Sequence, residues 1–234
     1  MRFVFASDSL KGTISSARAA AILEEEAARA FPNVACTRLA VADGGEGTVD
    51  AVVASLGGAL IEATVSDPLG RPVEATYGML PGNRAIIEMA AASGLPLLTH
   101  AERNPLLTST YGTGQLVLHA LSNGATEVTI AIGGSATNDG GMGAMRALGV
   151  RFLDSAKGEL EGTGADLARV SSIDTSGLDP LVSHARFRLL CDVDNPLLGP
   201  RGATRVFAPQ KGANPQQIEE LEHGMASFAR VLER

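Results

Sequence analysis

Four short glycine-rich segments hold most of the residues able to do chemistry: DSLKGT at 8–13, DGGEGT at 43–48, GGSATNDGG at 133–141 and DVDNPLLG at 192–199. Asp192 and Asp194 flank a single residue, with Asn195 next. An Asp-x-Asp pair after a strand can hold Mg²⁺, a hard cation that takes oxygen ligands and keeps several waters. Asp43 lies among glycines, and Asn138-Asp139 sit in the third segment. Lys11, and Lys211 in PQKGA, add positive charge. Glycines let backbone N–H groups approach an anion, and a following helix adds the positive end of its dipole. Taken singly, each acid reads as a helix or turn cap. Taken together, acids and lysines around glycine loops describe a magnesium–phosphate site.

The familiar phosphate motifs are absent. There is no G-x-x-x-x-G-K-[ST], no G-x-G-x-x-G opening a helix, and no kinase H-R-D or D-F-G. His100, His119, His184 and His223 lie far apart in the chain, so metal sites built on His or Cys are poor candidates, as are Cys-His nucleophiles.

The loops need a scaffold that brings them to one edge. In open α/β sheets that edge is the carboxyl end of the strands. A strand over 2–6 leads through the first loop to a helix capped by Ser15 or Ser16 and running to about Phe31. A second strand, 34–41, leads through DGGEGT to a helix beginning near Val49. This repeated strand–loop–helix order builds parallel sheets. Residues 59–80 then read as a hairpin or a split strand pair about the turn signal Asp67-Pro68-Leu69-Gly70. Further strands are expected at 84–89, 128–132, 187–191 and 204–207, with helices at 114–122 and 142–148. A final amphipathic helix, 215–234, carries Ile218, Leu221, Met225, Phe228 and Leu232 on one face. The Met142, Met145, Leu148 stripe reads as core.

Composition bounds the rest. The 234 residues contain 27 glycines, against an ordinary ~7% share. Aromatics are 4% and Trp is absent, which disfavours stacking platforms for single-stranded nucleic acid. With 19 Lys and Arg against 26 Asp and Glu, the formal charge is −7, and no basic stripe offers a footprint for nucleic acid. No window reaches the ~18 apolar residues of a membrane span, and Asp8 and Lys11 interrupt any signal-peptide core. Cys36 and Cys191 are isolated, as expected of two buried thiols in a reducing cytoplasm. The expectation is a cytoplasmic protein with neither nucleic-acid nor membrane partners. A homodimer is allowed, though no dedicated interface is visible.

The wording of the motifs resembles the bacterial class of glycerate kinases. DSLKGTISSARAA is similar to that family's opening, with Leu10 in place of the usual Phe. ADGGEGT, EMAAASGL (88–95), STYGTG (109–114), IGGSATNDGG, CDVDNPLLGPRGA (191–203) and FAPQKGA (207–213) resemble its other signatures. The resemblance implies an α/β fold: a Rossmann-like parallel-sheet domain plus a second, mixed α/β domain. The family's chains are longer and continue after a helix like 215–234. It therefore implies a shortened chain, with 1–67 as the N-terminal part of the Rossmann-like domain and 68–234 as the second domain. An incomplete parallel sheet would leave unpaired edges and exposed apolar faces.

The implied activity is ATP-dependent phosphorylation of D-glycerate to 2-phosphoglycerate, with Mg²⁺. Under that reading Asp8, Lys11, Asp43 and Asp192 are the catalytic candidates, with Asp8 or Asp43 orienting the attacking hydroxyl. Ser9, Gly44, Gly45, Glu46, Gly47 and Thr48 join Lys11 in binding glycerate. Gly133, Gly134, Ser135, Thr137, Asn138 and Asp139 cradle ATP phosphates, with Lys211 as a further counter-charge. Asp192 and Asp194 hold the metal. Two alternatives remain: a fragment that binds glycerate or nucleotide without turnover, and an Asp-x-Asp phosphohydrolase with Asp192 as nucleophile. The second lacks the usual Thr after the second Asp and has no paired acids downstream.

Overall fold

Strand and helix starts follow local chemistry, and the sheet order follows from which strands can be buried on both faces. The computed structural model describes residues 1–7, 13–14, 16–39, 45 and 47–233. β1 (Arg2–Phe5) pairs in parallel with β2 (Ala35–Arg38), joined by α1 (Ser16–Ala30). Phe3 of β1 packs on Phe31 just beyond α1, with ring centroids 5.4 Å apart. Ser15 lies outside the described residues.

α2 (Thr48–Leu56) leads into β3 (Ala59–Ser66) and β4 (Pro72–Leu80), an antiparallel hairpin in register from Ala59 opposite Met79 to Ser66 opposite Pro72. The buried Asp67 makes the turn. Its carboxylate accepts from the backbone N–H groups of Leu69 (2.8 Å) and Arg71 (2.9 Å) and from Arg71 Nε (2.6 Å). The expected domain boundary at 67/68 falls on this turn. The sheet expected of the second unit already begins at Ala59, because β3 is paired with β4 along its whole length.

β5 (Arg84–Glu88) follows, and the crossover through α3 (Ala90–Ser93) and α4 (Tyr111–Ser122) returns to a parallel β6 (Glu127–Ala131). After α5 (Met142–Ala147), β7 (Arg151–Leu153), β8 (Ser172–Asp174) and α6 (Pro180–His184), the chain adds β9 (Arg186–Leu190) beside β6. The sheet order is β3-β4-β5-β6-β9, and its last three strands are parallel. α7 (Ala203–Phe207) and α8 (Pro215–Leu232) close the described chain.

β5 and β6 are apolar and β-branched because both faces of the sheet are covered. Ile87 and Val128 face Leu116 and Val117 of α4, in a core shared with Tyr77. Ile86 faces Val49 of α2 on the other side. A separate core joins α8 to the β7 region through Phe152, Leu160, Leu167, Leu221 and Phe228. The mixed α/β class is as expected.

Three expectations are corrected. Residues 204–207 form α7, because Thr204 is fully buried facing Asn138 and the segment packs on α8, a long-range context that outweighs the local strand propensity of TRVF. Cys191 is exposed and Cys36 partly so, since each ends or lines a lightly covered strand; both thiols are free. Met145 is exposed while Met142 and Leu148 are core. Leu189 of β9 is 65% exposed, and Val4 of β1 and Leu39 just after β2 are exposed as well. Among the described residues no helix is long and apolar enough to cross a membrane.

Candidate functional site

The carboxyl ends of three parallel strands stand in one row: Glu88 of β5 is opposite Ala131 of β6, which is opposite Leu190 of β9. Three of the singled-out segments leave from that row. EMAAASGL leaves from β5, IGGSATNDGG from β6 and CDVDNPLLG from β9. The row continues one step, with Met89 N–H on Ala131 O at 2.9 Å and Ile132 N–H on Leu190 O at 3.3 Å.

The segment 133–139 is held from four sides. Leu95 N–H donates to Gly134 O (3.0 Å) and Ala136 N–H to Ser93 O (2.8 Å). Thr108 Oγ1 donates to Ala136 O at 2.9 Å, and Asn138 Nδ2 to Thr204 Oγ1 at 3.3 Å. Lys211 Nζ donates to Ser135 Oγ at 2.7 Å and to Thr137 O at 2.6 Å. Asp139 receives Thr110 N–H and Thr110 Oγ1, both at 2.7 Å, with the N–H groups of Gly141 (3.1 Å) and Gly143 (3.2 Å).

These contacts reassign several expected ligands. Asp139 is only 2% exposed and clamps the loop to the starts of α4 and α5. Burial pushes its carboxyl up from the ordinary value, against the pull of those hydrogen bonds. Lys211 is 8% exposed, and burial lowers it to about 8, with the charge of Asp139 working the other way. It ties the loop together from behind. Thr137 and Asn138 are buried as well. The accessible part of the segment is Gly133, Gly134 and Ser135, where Gly134 has φ 74° and is exposed.

The start of α2 reaches the same edge from the other face of the sheet. Glu88 Oε1 accepts Val49 N–H at 2.7 Å, so the end of β5 caps the start of α2. Gly47 and Thr48 are thereby brought to Glu88. Thr48, expected to touch substrate, is instead buried, and its hydroxyl donates to Gly45 O at 2.7 Å to form the turn. Asp8, Ser9, Lys11, Asp43, Gly44 and Glu46 lie outside the described residues.

Glu88 is the site residue that sequence reading missed. The signal was present, an acid at the last position of an apolar strand. Burial pushes its carboxyl up, Asp50 adds to this, and the N–H groups of Val49, Gly47 and Thr48 pull it down. A raised carboxyl favours its neutral form in the fold, so its contribution to stability is present at low pH and lost as pH rises. Glu88→Gln keeps the acceptor and removes the buried charge. It is expected to melt no lower than the parent at neutral pH. The difference between the two should shrink on acidification through the carboxylate range, which thermal melts at stepped pH check. Glu88→Ala loses the cap and should cost about 1 kcal/mol.

Asp192 and Asp194 are exposed at the end of β9, beside the loop from β6. Among the described residues no group of three or more His, Cys, Asp or Glu side chains clusters as a metal site. Two carboxylates and no nitrogen or sulfur ligand are still a donor set that suits Mg²⁺, which is commonly held by one or two carboxylates and completed by substrate phosphates.

The glycerate kinase family model matches residues 3–234. This chain belongs to the glycerate kinase family. It is 47% identical over 235 aligned residues to the glycerate kinase of Bacillus subtilis (strain 168), covering 100% of this chain and 62% of that one. It is 45% identical to the glycerate 2-kinase of Escherichia coli (strain K12), with the same coverage. A crystal structure from Salmonella typhimurium LT2, of a protein assigned as glycerate kinase 2, superposes with a TM-score of 0.88 at 43% identity. It covers 100% of this chain and 63% of that one. The chain thus spans about three fifths of the length of the relatives it matches. The family match includes CDVDNPLL, so the likeness of that segment to a phosphohydrolase signature carries nothing further.

Proposed function

We propose that this chain takes part in ATP-dependent phosphorylation of D-glycerate to 2-phosphoglycerate. The observation that carries the reading is the row Glu88, Ala131, Leu190. It delivers a glycine-rich loop, an Asp-x-Asp pair and the start of α2 to one sheet edge in a member of the glycerate kinase family.

Each described residue has a task in that scheme. The accessible stretch Gly133–Ser135 offers backbone N–H groups and a hydroxyl to the phosphates of ATP, on a loop that Asp139 and Lys211 hold rigid. A fixed donor set costs no reorganisation as charge develops on the transferred phosphoryl group. Asp192 and Asp194 hold Mg²⁺, which when bound neutralises phosphate charge. Glu88 fixes the start of α2 and with it the end of the DGGEGT loop. Lys11 and the loop at 43–48 bind the glycerate carboxylate, and Asp8 or Asp43 orients the hydroxyl; these roles rest on the resemblance. A loose transition state asks little of that base.

The test is D-glycerate-dependent ADP formation with Mg²⁺, with the product followed by phosphorus NMR. A 2-phosphoglycerate resonance is the expected result. A 3-phosphoglycerate resonance would overturn the regiochemistry, and binding of ATP or glycerate without turnover would leave a binding fragment. Asp192→Asn is expected to raise the Mg²⁺ concentration for half-maximal activity by about 10-fold or more. Unchanged Mg²⁺ dependence would remove Asp192 from the metal site.

A further inference from the structure

Lys211 is a buried cation placed behind the loop. It ends the short turn Pro209–Lys211, and Gly212 after it takes φ 94° with its backbone pressed on residue 103. A Cβ added at Gly212 would lie 2.2 Å from Arg103 O, so the backbone that follows Lys211 lies directly against residue 103 and admits no side chain there. Its ammonium has three donors and no acceptor. Two of them go to Ser135 Oγ and Thr137 O.

That pairing constrains Ser135. A hydroxyl that accepts from an ammonium at one lone pair must aim its own proton elsewhere, and it becomes a stronger donor because hydrogen bonds in series polarise one another. Ser135 is half-buried beside the exposed Gly134, at the accessible end of the loop, whereas Lys211 itself is nearly sealed from solvent. We propose that Lys211 is a positioning residue that acts through Ser135, orienting its O–H to donate to a phosphate oxygen of the nucleotide. The proposal rests on the assignment of residues 133–139 to ATP. It changes the expected role of Lys211 from direct counter-charge to support.

Calorimetric titration of ATP into the chain tests it, alongside Ser135→Ala, Ser135→Thr, Lys211→Met and the double variant Ser135→Ala/Lys211→Met, each with its melting temperature. Ser135→Ala and Lys211→Met are each expected to weaken ATP binding about 10-fold, a change of about 1.4 kcal/mol. Because the two act as one unit, the double variant should be no weaker than about 20-fold. Ser135→Thr keeps a hydroxyl and should stay within about threefold of the parent, whereas a merely structural role for the loop would make the ATP affinity of Ser135→Ala fall in step with its melting temperature. A double variant near 100-fold would mean two independent contacts and overturn the proposal. So would a Lys211→Met loss with Ser135→Ala unchanged, which would put the lysine itself on the phosphate. If Lys211→Met fails to fold, the Ala and Thr variants at 135 decide alone, and unchanged affinity in Ser135→Ala overturns the proposal. A parent chain that binds no ATP would instead overturn the nucleotide assignment, and this inference with it.

Discussion

Asp139→Ala is expected to lower stability by about 4 kcal/mol, the largest single effect foreseen in this chain. One carboxylate serves four donors: Thr110 N–H, Thr110 Oγ1 and the N–H groups of Gly141 and Gly143. Thr110 precedes α4 and Gly141 precedes α5, so the same group holds the starts of two helices and the loop between β6 and α5. The Thr110 hydroxyl accepts in turn from Ala144 N–H at 2.9 Å, which extends the damage into α5. A buried donor left without a partner costs about 1–3 kcal/mol. Four at the upper figure would approach the whole stability of an ordinary domain, and entry of water into the vacated space brings the sum down to about 4. For a chain of this size that is a fall in Tm of about 8–16 °C. Asp139→Asn keeps one acceptor but turns an NH₂ towards N–H groups, so it should recover less than half the loss. Urea unfolding checks both, and a loss below about 1 kcal/mol for Asp139→Ala would show that the clamp is dispensable.

Gly112→Ala should destabilise by about 3 kcal/mol, against the usual sign for that exchange in a helix. Alanine in place of glycine in a helix interior ordinarily gains about 1 kcal/mol. Here the added Cβ would lie 1.8 Å from Ser66 O, 2.9 Å from Ser66 C and 3.1 Å from Ala92 Cβ. The first turn of α4 therefore rests on the end of β3 with no side chain between them. Gln115, one turn on, accepts Ser66 N–H at 2.8 Å, which prevents the strand end from moving aside. Overpacking costs about 1–3 kcal/mol, and the upper end applies when backbone meets backbone. A stabilising Gly112→Ala in a denaturant titration would show that α4 and the hairpin can separate freely. The glycines of STYGTG thus serve packing: Gly114, two residues on, makes a similar approach to Ala144.

Much of the scaffold was legible because its causes are local. Asp67-Pro68-Leu69-Gly70 announces a turn whose Asp side chain does accept the following N–H groups. β-branched runs mark β5 and β6, and the apolar face of Ile218, Leu221, Met225 and Phe228 marks α8. Residues 204–207 misled because β propensity carries little weight against a buried Thr204 and a neighbouring helix. The pairing of β7 with β8 gave no signal, since strands of three residues have no readable period. The candidate site divides in the same way. That acids and lysines gather around glycines can be read from residue order. That Thr48, Asp139 and Lys211 spend their polar atoms on the protein itself cannot.

Residue order alone settled family membership, the alternation of strands and helices, and the set of glycine-rich loops proposed to build a phosphate site. Those are carried by residue type and by spacing within a few positions along the chain. Only the tertiary structure decided that β5, β6 and β9 align their ends, that Glu88 caps α2, and which loop residues face solvent. Burial and hydrogen-bond partners are set by contacts between residues as far apart as Ser135 and Lys211, and no local pattern encodes such a distance.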